Sequence, residues 1–594
     1  MRVGLTAAVV VVAAGSFLAS PAAWAGTSST TSPTSPPASG AARSGSSGGT
    51  SHVIVSGTPG NLNAVEDAVT VAGGTVRRSL PVIDGVAATV PDAALSGLAH
   101  APGVRSVTPD AAGRLMSVDP VLGYDVTKDE GSLYYAAQVV HATQAWGKGV
   151  TGKGVDVALI DSGVVPVQGL TSGNVIVGPD LSIESQNPSI ANGMDTFGHG
   201  THMASIIAGR DAVATGSTYA DSTSHQFTGI APDARIVSIK VANSDGGADV
   251  SQVIAAIDWV TQNAHRNGLN IKVLNLSYGT GSSQDYRLDP LDYAVENAWQ
   301  AGITVIVSAG NDGTARQELA DPANDPMVVA VGAEDPNNSL AAADDTIPAF
   351  SQRGTTARAV DVIAPGVHLL GLRDPNGFID QNNPAARVGT RFFRGSGTSQ
   401  AAAVVSGEAA LYVSKFPGAT PDQVKDALMH NATPPTSTKT IWTGLGIPYA
   451  DKLIGYTPST KNTAQATTST GAGSLEAARG GSHLTDGLTV LTGEKDIFGQ
   501  AWNAAAWGAA SRAGTSWNGG SWNGTVWTGT GMANAISWQG VRWTGADWSS
   551  KSWLTANWDS KSWLGAGWDS KSWLGAGWAS SNWQASTWSS ATWS

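Results

Sequence analysis

The chain has 594 residues, a net charge of −12 at pH 7, 72 Gly, 22 Trp and no Cys. That length allows several domains, and an acidic balance argues against a nucleic-acid partner, whose recognition rests on clustered positive charge. The lack of thiols excludes disulfides, Cys-ligated zinc and a cysteine nucleophile.

Residues 1–25 read as an export signal: Arg2 is the basic start, Leu5 to Leu18 the apolar stretch and Ala23-Trp24-Ala25 a small-x-small cleavage site. The apolar run falls short of the ~20 residues that span a bilayer. A secreted chain without a membrane span is therefore expected. Residues 26–50 are almost wholly Ser, Thr, Pro, Gly and Ala, a composition that cannot bury enough apolar surface to order itself and predicts a disordered linker.

Order is expected from 51 to 110. Val53 to Val55 predict a strand, and Leu62, Val65 and Val69 a helical face closed by Gly73-Gly74. Val82-Ile83 and Val86 to Val90 predict two strands around Asp84-Gly85; Ala93 to Ala99 is a second helical segment and Val104 to Val107 a last strand. The order β-α-β-β-α-β is a split βαβ pattern. Residues 111–131 show no clear period and form a connector.

From 132 to 480 apolar strands alternate with amphipathic helices. Strands are predicted at Val155–Ile160, Arg235–Val241, Ile271–Leu276, Thr304–Val307 and Met327–Val331. Val250, Val253, Ile254, Ile257 and Val260 have helical spacing, as do Leu291, Ala294, Val295 and Ala298. Such alternation implies an α/β fold of three layers, a parallel sheet covered on both faces.

Three stretches carry chemistry. The strand at Val155–Ile160 ends in Asp161-Ser162-Gly163; Gly198-His199-Gly200-Thr201-His202 opens a helix; and Gly395-Ser396-Gly397-Thr398-Ser399 opens another. In a parallel sheet, strand ends and helix N-termini gather at one rim. A Ser hydroxyl needs a base to become a nucleophile at neutral pH, an imidazole suits that task, and a buried carboxylate fixes the imidazole's tautomer.

The stretches Ala158–Gly163, Gly198–Ala204 and Gly397–Ala402 resemble the three signature motifs of the subtilisin-like serine proteases. The resemblance implies that Asp161 is the orienting acid, His199 the general base and Ser399 the nucleophile. Ser308-Ala-Gly-Asn-Asp-Gly313 is similar to the family's oxyanion segment and makes Asn311 the side-chain donor. Asn275-Leu-Ser-Tyr-Gly279 looks like the strand that pairs with substrate backbone. Ser277, Tyr278 and Gly279 on one side, and Ser308, Ala309 and Gly310 on the other, would flank an extended peptide as edge strands. The 51–110 segment resembles the family's inhibitory prosegment, a ferredoxin-like α+β unit. That implies a zymogen with a maturation cut in the 111–131 connector and the prodomain as an intramolecular inhibitor.

Departures from the family pattern are local. Gln400 stands where a Met commonly follows the nucleophile, and Ala403 where a Pro is usual. The segment after Asp161-Ser162-Gly163 lacks the Asp that often helps to bind calcium, so calcium is a possible ligand with no assignable site, and no cofactor is required for the chemistry. His202 reads as a helix-packing residue and Asp312 as a solvated loop charge.

Residues 481–594 hold 17 of the 22 Trp, spaced by five without a break from Trp538 to Trp593. A period of five suits stacked, β-rich structure that buries like units against each other. The expected function is a secreted serine endopeptidase acting on protein or peptide substrates. The alternative is a cell-surface or polysaccharide-binding protein whose tail contacts a cell wall and whose protease domain is inactive or secondary.

Overall fold

The computed structural model describes residues 49–110, 122–187, 189–435, 440, 442–459, 468–486, 489–518, 520–527 and 541–543. The expected export signal, nearly all of the linker, most of the connector and all but three residues of the five-residue Trp repeat lie outside them. The chain divides into two units, one up to residue 115 and one from residue 116 on.

The first unit runs β1 (Thr50–Gly57), α1 (Leu62–Val71), β2 (Thr75–Leu80), β3 (Gly85–Pro91), α2 (Leu95–Leu98) and β4 (Val104–Pro109). Its sheet is antiparallel with strand order β2-β3-β1-β4. Val53, Val55, Val65, Val69, Val86, Val90 and Leu98 form its core. The expected topology holds, but the second strand is Thr75–Leu80 and not Val82-Ile83. Val82 and Ile83 lie in a 3₁₀ turn after Pro81, whose missing N–H ends the ladder. β2 carries Arg77 and Arg78 on an exposed strand, so it has little of the apolar signal that marks a strand in sequence.

The second unit opens with α3 (Leu133–Val139) and α4 (Ala142–Gly147), then builds its sheet from β5 (Asp156–Asp161), β6 (Val175–Asp180), β7 (Arg235–Lys240), β8 (Ile271–Leu276), β9 (Thr304–Ser308), β10 (Val329–Glu334) and β11 (Val362–Pro365). The sheet is parallel throughout, in the order β11-β10-β9-β8-β5-β7-β6. Helices α5 (His199–Ala208), α6 (Val250–Asn263) and α7 (Pro290–Gln300) alternate with the strands. A smaller sheet follows from β12 (Leu369–Leu372), β13 (Arg387–Val388) and β14 (Phe392–Gly395), with α8 (Phe378–Asn382) between. Then come α9 (Thr398–Lys415) and α10 (Pro421–His430).

Two of the seven sheet strands were not expected, and both are edges. β6 carries Gly178 and Pro179, and β11 is four residues long and ends in Pro365, both tolerated where one side of the ladder is unpaired. The five inner strands are nearly free of exposed residues, as a sheet covered on both faces requires.

α5 and α9 are the helices that matter for the site. Every residue of α5 is buried, as are the first sixteen of α9. α9 packs on β8, β9, β10 and α5. Its Ala, Ser and Gly residues permit that approach: a Cβ on Gly407 would lie 2.6 Å from Cβ of Ile230.

The first part of the Trp-rich segment packs on this unit. The helix Ala504–Arg512 lies on α7. The indole N–H groups of Trp507 and Trp522 both donate to the Asp258 carboxylate of α6 at 2.9 Å. Short strands at Trp517–Asn518, Ser521–Trp522 and Thr525–Val526 form a meander, and Val541–Trp543 pairs with Leu484–Asp486.

Candidate active site

Asp161 is the last residue of β5, at the carboxyl edge of the parallel sheet. Its carboxylate accepts the backbone N–H of Ser162 at 2.7 Å, and His199 Nδ1 lies 2.9 Å from each of its two oxygens. Both side chains are 1% exposed. A buried carboxylate against Nδ1 sets the tautomer with the proton on that nitrogen and leaves Nε2 to accept one.

His199 opens α5, and the turn before it is held by a residue that the motif did not reveal. Asp195 accepts the N–H groups of Phe197 and Gly198 through Oδ1, and the N–H and hydroxyl of Thr201 through Oδ2. This satisfies N–H groups that a helix start leaves without partners. Gly198 turns the chain with φ 105°, a left-handed conformation that glycine adopts without strain. Beneath lies Lys240, fully buried, with Nζ 2.8 Å from the Ser162 carbonyl and 3.1 Å from Glu184. Burial pulls its pKa down, but Glu184, Asp180 and Asp195 outweigh that and raise it. Lys240 therefore stays charged and ties the Asp161 strand end to the His199 turn.

Ser399 is the second residue of α9. Its carbonyl accepts the Ser277 hydroxyl at 3.3 Å; Ser277 Oγ in turn accepts from Asn275 Nδ2 at 3.0 Å, and Asn275 Oδ1 accepts from Ser406 at 2.9 Å. Ser399 Oγ is buried and makes no hydrogen bond among the described residues. Asn311 meets the same turn: Thr398 donates to Asn311 Oδ1 from its N–H at 2.8 Å and its hydroxyl at 3.0 Å. The fold thus joins Asp161 to His199, and Asn311 and Ser277 to the Thr398-Ser399 turn, with α5 packed on α9.

The two expected substrate segments differ in kind. Ser277, Tyr278 and Gly279 continue from β8 past the sheet edge. Ser308, Ala309 and Gly310 follow β9, but Ala309 donates to Val331 and accepts from Ala320, while Gly310 donates to Thr398 and accepts from Gln352. Those backbone groups are bonded inside the protein, which leaves Ala309 and Gly310 without the unpaired groups of a ladder edge. Gly310 has φ 107°, and a Cβ there would strike the Gln352 amide.

Gln352 and Arg316 also went unnoticed in sequence. Gln352 Nε2 donates to the Glu318 carbonyl at 2.6 Å, and Arg316 donates to the carbonyls of Thr280 and Ser282. Together they fasten the loop after Asn311 to the segment after Gly279. No short-range signal marks either, because their partners lie more than thirty residues away. His202 is fully buried, with Nε2 3.1 Å from both the Gly371 N–H and the Phe393 carbonyl, in keeping with its packing role. Burial, with the nearby His199, pushes its pKa down to about 3. Gln400 is buried, and its Nε2 has no partner among the described residues.

The chain is similar to known proteins. A sequence model of the subtilase family matches residues 152–473, and one for a peptidase inhibitor domain matches residues 31–110. The chain is 38% identical over 307 residues to serine protease AprX of Bacillus subtilis, a span of 50% of this chain and 66% of that protein. It is 32% identical to subtilisin DY of Bacillus licheniformis, over 50% of this chain and 91% of that one. Among solved structures it is similar to a cold-adapted subtilisin-like serine proteinase, with TM-score 0.38 and 28% identity over 50% of this chain and 89% of that one. Fervidolysin from Fervidobacterium pennivorans matches with TM-score 0.44 and 24% identity, over 70% of this chain and 62% of that one. The chain belongs to the subtilase family of serine proteases and carries an inhibitor-like domain ahead of its catalytic domain.

Proposed function

We propose that this subtilase is a secreted endopeptidase that cleaves peptide bonds through an acyl-enzyme on an Asp161–His199–Ser399 triad and is made as a self-processing zymogen. The observation that supports it most is the buried contact between His199 Nδ1 and both Asp161 oxygens. With Nδ1–H committed to the carboxylate, Nε2 takes the Ser399 proton as Oγ attacks the scissile carbonyl carbon. The oxyanion that forms is met by Asn311 Nδ2–H and by the Ser399 N–H at the positive end of α9. Collapse expels the amine, protonated by His199, and water repeats the sequence on the acyl-enzyme. The Oγ–Nε2 hydrogen bond belongs to the substrate complex, where such contacts tighten.

The substrate backbone pairs with 277–279, while 308–310 bounds the pocket beside it. The signal-like start at 1–25 directs export, and the 51–110 unit inhibits until the connector is cut. Ser399→Ala should lower kcat on casein by about 10⁶-fold and leave residues 51–131 attached in the purified chain. Casein hydrolysis at an unchanged rate would refute the proposal.

A further inference from the structure

A cleft of about 460 Å³ opens between the end of β6, the last turns of α6 and the two-residue strands of the Trp-rich segment. None of the residues assigned to the catalytic chemistry lines it. Its aromatic walls are Trp259 of α6 and Trp517 and Trp527 of the meander, and the amide side chains of Gln262, Asn263 and Asn192 stand among them. Trp259 and Trp517 are half-buried, so each keeps part of its surface open, while Trp527 is buried.

Bonds inside the protein fix these walls. Gln262 Oε1 accepts the Trp517 N–H at 3.0 Å, and Trp517 Nε1 donates to the Ala255 carbonyl at 2.8 Å. The Trp517 ring lies 5.7 Å from that of Trp527. The acceptor of Gln262 is thus occupied, and its Nε2 is a buried donor with no partner among the described residues; Trp527 Nε1 is a second. Asn263 is turned the other way: Nδ2 donates to the Trp259 carbonyl at 2.8 Å, which leaves Oδ1 to accept. A buried donor without a partner is destabilising, so a cleft that holds two of them beside an open acceptor favours a ligand that both donates and accepts.

We propose that this cleft binds a glycan chain, a β-1,4-linked oligosaccharide of pyranose sugars. The electron-rich face of an indole attracts the C–H groups that line the flat faces of such a ring. Sugar hydroxyls donate and accept at once, which meets both the Gln262 donor and the Asn263 acceptor. A proline-rich peptide, the other common occupant of an aromatic cleft, offers carbonyl acceptors but no N–H at proline, and so answers only half of the set. The volume falls within the range of about 300–1,000 Å³ found for small-ligand sites. Because Trp259, Gln262 and Asn263 belong to α6, the site would hold the catalytic domain itself against a polysaccharide.

The test uses the full chain with Ser399→Ala to prevent self-digestion, titrated by calorimetry with chitotetraose, cellotetraose and a decaproline peptide. Saturable binding of at least one of the two sugars, and none of decaproline, is expected; the two sugars distinguish an N-acetylated glycan from an unsubstituted one. Trp259→Ala should weaken that binding at least about tenfold, as loss of a central aromatic contact does, and Trp259→Phe, which keeps a ring, should retain most of it. Asn192 is exposed, so Asn192→Ala leaves the fold intact and should weaken binding about two- to tenfold. Melting curves of each variant keep loss of binding distinct from loss of fold. Failure of the parent to bind either sugar would overturn the proposal. So would undiminished affinity in Trp259→Ala and Asn192→Ala, the pattern of a site elsewhere on the chain, or a preference for decaproline.

Discussion

In the proposed mechanism Asn311 acts through the way its amide is aimed. Thr398 occupies Oδ1 with two donors, which puts Nδ2 on the side of the Gly397 turn, 3.5 Å from where a Cβ on Gly397 would lie. An oxyanion donor held in advance costs nothing to reorganise during reaction. Asn311→Ala should therefore lower kcat by about 10²–10³-fold with KM nearly unchanged, measured on a chromogenic peptide. Glu408 makes the opposite case, an acidic side chain with no partner among the described residues. It sits in α9, fully buried, and burial holds its pKa well above the ordinary 4.5. At pH 4 the folded and unfolded chains both carry it largely protonated; as pH rises the unfolded chain ionises and the folded one does not, so stability is lost. Glu408→Gln should raise Tm at pH 8, by about 2–4 °C for each kcal/mol recovered, and leave it nearly unchanged at pH 4. Melting curves at the two pH values check the sign. Asp161, His199, Ser399 and Asn311 could be picked out as candidates from sequence because each sits in a short motif at a strand end or helix start. Asp195, Lys240 and Gln352 were not, because what they do depends on contacts that only folding creates.

At the scale of elements, the helix Ala504–Arg512 decides how the chain beyond the sheet is anchored. Trp507 is fully buried, its ring 5.0 Å from Trp502 and 5.5 Å from Tyr293, with its N–H on Asp258. Burial raises the Asp258 pKa, while donors from Ser511, Trp522, Trp507 and Ser516 draw it back. Trp507→Ala removes both the ring and one of those donors and should cost about 3–5 kcal/mol, read as a shift in the urea midpoint. The inner strands and the long amphipathic helices could be read from periodicity because burial on two faces or on one stripe imposes it. The edge strands β6 and β11 and the Arg-bearing β2 could not, since an element with one side in solvent or a Pro in its run departs from those patterns. The Trp-rich segment was expected as stacked β-structure. Its described part mixes that helix with a two-residue-stranded meander, because its indoles find partners on α6 as well as on one another.

At the scale of the molecule, the acidic balance and the absence of Cys take on local meaning. Part of the acidic composition is gathered into a buried cluster at 289, 292, 296, 321 and 325, and an enzyme without thiols relies on packing and ion pairs such as Arg479 with Asp249 at 2.6 Å. The order of domains could be read from the motifs and the change in composition. The acidic cluster could not, since its members at 289, 292, 296, 321 and 325 meet only when α7 and the loop after β9 pack together. The central claim is that one serine, made nucleophilic by His199, carries out the chemistry of this family. The most direct measurement is labelling of the purified enzyme with a fluorophosphonate, followed by mass-spectrometric mapping of the modified residue. One label per active chain on Ser399, lost in His199→Ala, is the predicted result. Undiminished peptidase activity in a chain that takes no label on Ser399 would contradict the account.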